Sequence, residues 1–264
     1  MADEFNGVYA NGLDEIAKEL RQEFLDETKE IIINLDLLLD GYRNERNPEN
    51  EVITGFSRAA LKLRAQAGTI GMRLIGSIAH RLEDYMSSMG AEILPRSVED
   101  LQTFIDRLED VVEGRLALDS DAASLMRELP VNAGFSVEDV DVRTVEVMLV
   151  MLHGAANHYV QRELQQCGYR VTTVSTVLEA FPLVVQTKPD LIIISAMMPE
   201  LDGIDLAIGL SSMSSTRNIP LALISSLEPG DEHFTRVPAS IPIIQKGPSF
   251  GDDLFTALDN LFLI

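Results

Sequence analysis

The chain is short of cysteine, of basic residues and of long apolar runs, and each shortage removes a class of function. A single cysteine, Cys167, allows neither a disulfide within the monomer nor a cysteine-rich zinc site. Nowhere does the sequence approach the roughly 18 uninterrupted apolar residues that a spanning helix needs. The stretch from Met1 to Gly12 is acidic and polar, with no basic start ahead of an apolar segment, so no secretory signal is expected there. A soluble, cytoplasmic chain without membrane partners is the expectation. Lys and Arg number 21 against 42 Asp and Glu, a formal charge of −21. Acids outnumber bases about two to one in both halves, so no basic domain is hidden, and the surface repels a phosphate backbone or an anionic membrane face. Nucleic acid is not an expected partner. No internal repeat or low-complexity segment stands out.

What the sequence does have is enough apolar residue, 46% of 264, for two separate cores. From Leu13 to Tyr42 apolar residues recur every three, four or seven positions (Ile16, Leu20, Phe24, Ile31, Leu35, Leu38), the stripe of one long amphipathic helix. Asn47-Pro48 breaks it, and Pro48 suits the start of a second helix through Phe56, Leu63 and Ala67. Gly68 and Gly71 bracket the next boundary. A third helical pattern runs from Leu74 to Met89, a fourth follows Pro95 to Val112, and a short fifth spans Ala122 to Leu129. Long amphipathic helices with short connections predict an all-α four-helix bundle over residues 1–130.

Residues 131–143, rich in Pro-flanked polar and acidic positions, read as a linker. Over 144–264 the period changes. Short apolar runs (Val147 to Leu152, Val171 to Val174, Leu191 to Ile194, Leu221 to Ile224, Ile241 to Ile244) alternate with helix-length segments. That alternation predicts a doubly wound α/β domain with five parallel strands, whose functional residues sit at the carboxyl ends of the strands. Those ends are Met151-Leu152-His153, Ser195, Ser225 and Lys246.

The segment from Asp190 through Ser195, Met198-Pro199, Asp202-Gly203 and Asp205, with Gly168-Tyr169 before it and Lys246 after it, resembles the response-regulator receiver family (CheY-like). The resemblance implies a third strand ending at a phospho-accepting aspartate, an acidic pair that holds magnesium at the end of the first strand, and a lysine after the fifth. In this chain Ser195 stands at the aspartate position and Met151 and Leu152 stand at the acidic pair. A serine hydroxyl without a base does not attack, and magnesium needs carboxylate oxygen. Acyl-phosphate formation is therefore not expected. The switch hydroxyl is kept as Ser225 and the lysine as Lys246, which is left either solvated or hydrogen-bonded to Ser195.

The segment Phe56 to Met72, followed by Ala79-His80-Arg81-Leu82-Glu83, resembles the histidine-phosphotransfer (Hpt) family and looks closest to the first domain of CheA-type bacterial chemotaxis kinases. The resemblance puts Leu61 at the phospho-histidine position, Arg64 at a family lysine and Ala65 at a small residue that admits the partner. It puts His80 and Glu83 at the pair that orients the phospho-histidine. Leucine has no nitrogen nucleophile, so transfer through position 61 is excluded chemically.

These readings together predict a two-component protein that is no enzyme and needs no metal or cofactor, a pseudo-Hpt joined to a pseudo-receiver. It would act by binding a histidine kinase, a receiver domain or itself. Leu61 with a basic rim of Arg58, Lys62 and Arg64 is the expected docking spot. Homodimerisation is expected through the Leu227 to Ile244 region. The alternative is a phosphotransfer protein that uses His80. His153 and His158 lack acid or cysteine neighbours in a metal-binding pattern.

Overall fold

A computed structural model describes residues 2–90, 92–118, 120–131, 145–228, 230–247 and 250–262, with side chains from Glu15 onward except at positions 259 and 262. The expected linker therefore lies almost wholly outside the described residues. The chain divides into two compact units, Met1–Asn132 and Ala133–Ile264.

Unit 1 is helical. Helices α1 (Ala2–Arg43), α2 (Glu49–Ile70), α3 (Arg73–Ser88) and α4 (Pro95–Val112) each pack on the next, and α4 closes back against α1. A short α5 (Ala122–Glu128) lies on α3. The apolar stripes make the core: Phe24, Leu35 and Leu39 from α1, Phe56 and Leu63 from α2, Ile75 and Ile78 from α3, Phe104 and Leu108 from α4 are all buried. Pro48 stands at the N-cap of α2 in extended conformation, and Gly71 ends α2 at φ 75, a left-handed position where a Cβ would be strained. Gly68 lies inside α2 rather than at its boundary. Tyr85 stacks at a tilt on Phe104, with ring centroids 5.6 Å apart, and its hydroxyl donates to Asp100 Oδ2 at 2.9 Å. Burial raises the affinity of both groups for their protons.

Unit 2 is a five-stranded parallel sheet in the order β2-β1-β3-β4-β5. The strands are β1 (Glu146–Val150), β2 (Arg170–Val174), β3 (Leu191–Ser195), β4 (Leu221–Ser225) and β5 (Ile243–Gln245). Helices α6 (Ala155–Gln166), α7 (Val177–Thr187), α8 (Gly203–Ser212) and α9 (Phe250–Phe262) supply the layers that bury both faces. Near-continuous apolar strands such as Leu191-Ile-Ile-Ile are what a sheet covered on both sides requires. At the opposite end of the sheet from the strand carboxyl ends, Arg170 Nε lies 2.6 Å from Glu146 Oε1, tying β2 to β1 in a largely buried ion pair.

Two expectations fail in this unit. The fifth strand begins at Ile243, not Ile241, because Pro242 has no N–H to give to the ladder. Its carbonyl still accepts from Leu223 N at 2.9 Å, and Ile241 is buried in the approach. The connection from β4 to β5 holds no α-helix among its described residues, only a 3-10 turn at Glu232–Arg236. Pro229, Gly230 and Pro238 interrupt any longer helical run there. The Leu227 to Ile244 region, where homodimerisation is expected, contains this turn, with Glu228, Asp231, Glu232, His233 and Arg236 along it.

Candidate functional site

In unit 1 the outward face of α2 carries Thr54, Arg58, Leu61, Ala65 and Gly68, spaced by three or four, and all are exposed. Leu61 is 53% exposed, which places an apolar side chain in water at the centre of that face. Its basic neighbours are not equivalent. Lys62 Nζ lies 2.5 Å from Glu27 Oε1 of α1, and Gln66 donates to the other oxygen of that carboxylate at 2.8 Å. The bond from Lys62, then that from Gln66, holds the Glu27 carboxyl below the usual carboxylate range. On the opposite flank Arg64 Nε lies 2.6 Å from Glu83 Oε2 of α3. Arg58 makes no ion pair among the described residues. The expected basic rim of three is therefore one open cation between two locally neutralised ones, a correction that follows from acids on neighbouring helices.

His80 lies on α3 and is 8% exposed, so its ring belongs to the buried side of the helix with Ile75, Ile78 and Ala79. Glu83, three residues on, is engaged by Arg64.

In unit 2 the structure brings the strand-end residues together. β1 and β3 are neighbours in register, Val150 against Ile194, so Met151 and Ser195 follow on adjacent strands. Met151 is buried, its N–H donating to Val174 O at 2.9 Å, and Leu152 is 48% exposed. Ser195 is 5% exposed and its hydroxyl donates to Met197 O at 3.2 Å, which uses its one proton within its own turn. Ser225 is buried, and its hydroxyl accepts from Leu227 N at 3.0 Å. Lys246 is exposed without a side-chain partner among the described residues, so of the two alternatives for this lysine the structure shows the solvated one. Gly203 opens α8 with its N–H on Ala196 O at 3.0 Å, and a Cβ there would fall 2.0 Å from Ser195 O. The Asp202-Gly203 turn thus packs directly on the end of β3.

Where a receiver of the standard pattern would gather carboxylates, these strand ends present Leu152, Met197 and Leu201, exposed by 48%, 47% and 37%. The sequence reading missed Met197 and Leu201 as surface residues. Their only signal was adjacency to Ser195 and to the Asp202-Gly203 turn. Among the described residues no group of three or more His, Cys, Asp or Glu side chains is placed to hold a metal ion. No helix among them is long and apolar enough to cross a membrane.

Residues 19–111 match the family model of the Hpt domain. The two-component response regulator-like protein APRR3 of Arabidopsis thaliana is 34% identical over 87 residues, covering 32% of this chain and 18% of that protein. The probable transcriptional regulator ycf27 of Guillardia theta is 30% identical over 90 residues, 34% of each chain. This chain thus spans between 12% and 34% of the length of the curated relatives it matches. Among solved structures, the signal receiver domain of a histidine kinase from Syntrophus aciditrophicus covers 45% of this chain and 90% of its own, at 26% identity and a TM-score of 0.41. The receiver domain of a sensor histidine kinase from Pseudomonas aeruginosa covers 46% and 98%, at 19% identity and 0.40.

The strand order 2-1-3-4-5, parallel throughout, is itself that of the flavodoxin and receiver class. The chain carries an Hpt match over residues 19–111, followed by a domain with that sheet order.

Proposed function

We propose that this chain is a non-catalytic phosphorelay regulator, a pseudo-Hpt and pseudo-receiver that binds a histidine kinase or a receiver domain without exchanging phosphate with it. The observation that carries the reading is Leu61, an exposed leucine on the outer face of α2 beside the open cation Arg58. An apolar centre with small neighbours at Ala65 and Gly68 suits protein contact better than water, and Arg58 offers a charge to an acidic partner surface. The alignment of Leu61 with the family's phospho-histidine makes the chemistry silent, since a carbon side chain offers no lone pair to phosphorus. In unit 2, Ser195 donates its proton to Met197 O, and the side chains of Met151 and Leu152 offer no carboxylate oxygen to a magnesium ion.

The alternative, phosphoryl transfer through His80, meets the burial of that ring. At 8% exposure an incoming acyl phosphate has no line of attack on either nitrogen.

The test is affinity capture from the source cells with the wild-type chain and with Leu61→Asp, the bound proteins being identified by mass spectrometry. The wild type is expected to retain a histidine kinase or a receiver-domain protein, and the variant to lose it, with unchanged helical circular dichroism. Equal retention by both chains moves docking off α2 and overturns this part of the proposal.

A further inference from the structure

Helix α1 runs for 42 residues, against 22 for α2, 16 for α3 and 18 for α4, so it has a long outer side that the other helices of unit 1 leave uncovered. Phe24, Thr28, Ile32, Leu35 and Leu39 turn inward and are buried. On the outer side Glu19, Glu23, Asp26, Glu30, Ile33 and Leu37 follow one another at alternating spacings of four and three, which keeps them on one stripe about 27 Å long. All six are exposed, Ile33 by 59% and Leu37 by 63%.

The stripe has the make-up of a contact surface. Leu37 lies one turn after Ile33, so two large apolar side chains stand together in water. The alternation of four and three is the spacing of a seam along which one helix packs on another. Its carboxylates are scarcely compensated from within the chain. Lys29 lies 3.5 Å from Asp26, with both side chains at least half exposed, and Glu19, Glu23 and Glu30 form no ion pair among the described residues. Asp36 and Asp40, both exposed, carry the acidity past the apolar pair.

We infer that this outer stripe of α1 holds a basic amphipathic helix of a partner protein. Charge selects the occupant. A second copy of the chain, with a formal charge of −21, brings carboxylates to carboxylates, and an anionic membrane or a nucleic acid is repelled in the same way. A helix with Lys or Arg at matching spacing sets its cations against Glu19, Glu23, Asp26 and Glu30. Two apolar residues one turn apart at one end of it cover Ile33 and Leu37. That apolar end fixes the register, because a slide by one turn sets an apolar side chain against the Glu30 carboxylate. None of these residues belongs to the α2 face that carries Leu61, so the inference does not rest on docking there.

The test is titration calorimetry of the full chain with a synthetic helix-forming peptide of about 20 residues, a length that spans the stripe. It carries Lys at the positions facing the four carboxylates and two Leu one turn apart at the end facing Ile33 and Leu37. A control peptide of the same composition and charge carries the two Leu on its opposite side. The designed peptide is expected to bind one to one, at least about tenfold more tightly than the control, and to weaken as salt rises. Ile33→Asn with Leu37→Asn removes the preference between the two peptides, and Glu23→Lys with Glu30→Lys weakens the designed one at least about tenfold. Leu61→Asp binds it as the wild type does. Circular dichroism of each variant checks that the helical fold is kept. Absence of binding, equal binding of both peptides as any polycation on an acidic chain would give, or binding that both α1 variants keep overturns the inference. Loss of binding in Leu61→Asp moves the peptide to α2 and overturns it as well.

Discussion

Leu61→His turns a silent face into a phosphoryl acceptor. Position 61 is 53% exposed at the middle of α2, flanked by Arg58 and Lys62 and followed one turn on by Ala65. An imidazole there has a nitrogen lone pair in solvent, the open cation Arg58 nearby for the anionic phosphoryl group, and no bulky neighbour at i+4 to hinder a partner. Incubated with a panel of phosphorylated receiver domains, the variant is expected to gain an acid-labile, base-stable phosphohistidine. The P–N bond forms as the donor's acyl phosphate is cleaved and its aspartate is released. The change is from no label to a stoichiometric one for a matching donor. Failure with every donor, in a variant that keeps its helical spectrum, means that α2 no longer presents a relay-competent face. Leu61 would then not stand at a vacated acceptor position.

Gly203→Val has the largest expected effect on stability. The new Cβ would meet Ser195 O at 2.0 Å and Ile194 Cγ2 at 2.7 Å, and the first of these is backbone of β3, which cannot swing aside. Either α8 shifts off the sheet or β3 bends, and overpacking of this kind costs about 3 kcal/mol. Denaturant unfolding followed by circular dichroism should show the transition of unit 2 at lower denaturant while that of unit 1 stays in place. An unchanged transition would mean that the Asp202-Gly203 turn does not pack on β3 as the structure has it.

Helix and strand periodicity made most of the architecture readable in advance. Phe24 and Leu35, and the stripe from Leu101 to Leu108, are buried as the helical period requires, whereas Ile16 and Leu20 of the expected α1 stripe are exposed and Leu39 rather than Leu38 is the fully buried residue near its end. Runs such as Leu191 to Ile194 and Leu221 to Ile224 are apolar throughout because both faces of the sheet are covered. The β4–β5 connection was misread because length alone suggested a helix, while Pro229, Gly230 and Pro238 had already removed one. The strand-end cluster was legible from the motif around Ser195, since spacing along β1 and β3 fixes which residues end side by side.

The electrostatics of the α2 face was not legible. Lys62 meets Glu27 and Arg64 meets Glu83 across helix boundaries, 35 and 19 positions apart, and only the packed register of α1, α2 and α3 decides those pairs. The outward side of α7 was equally hidden. Leu178, Pro182 and Val185 look like core residues until Val177, Ala180 and Val184 are found to occupy the inner side of the same helix.

The central claim is that this Hpt and receiver-fold pair carries no phosphate. The most direct measurement is to incubate the wild-type chain with phosphorylated kinase or receiver domains, and separately with a small acyl-phosphate donor and magnesium, and to map any label by intact-mass and peptide mass spectrometry. The account predicts an unmodified chain under both conditions. A phosphorylated His80, or any stable label on Ser195, would contradict it.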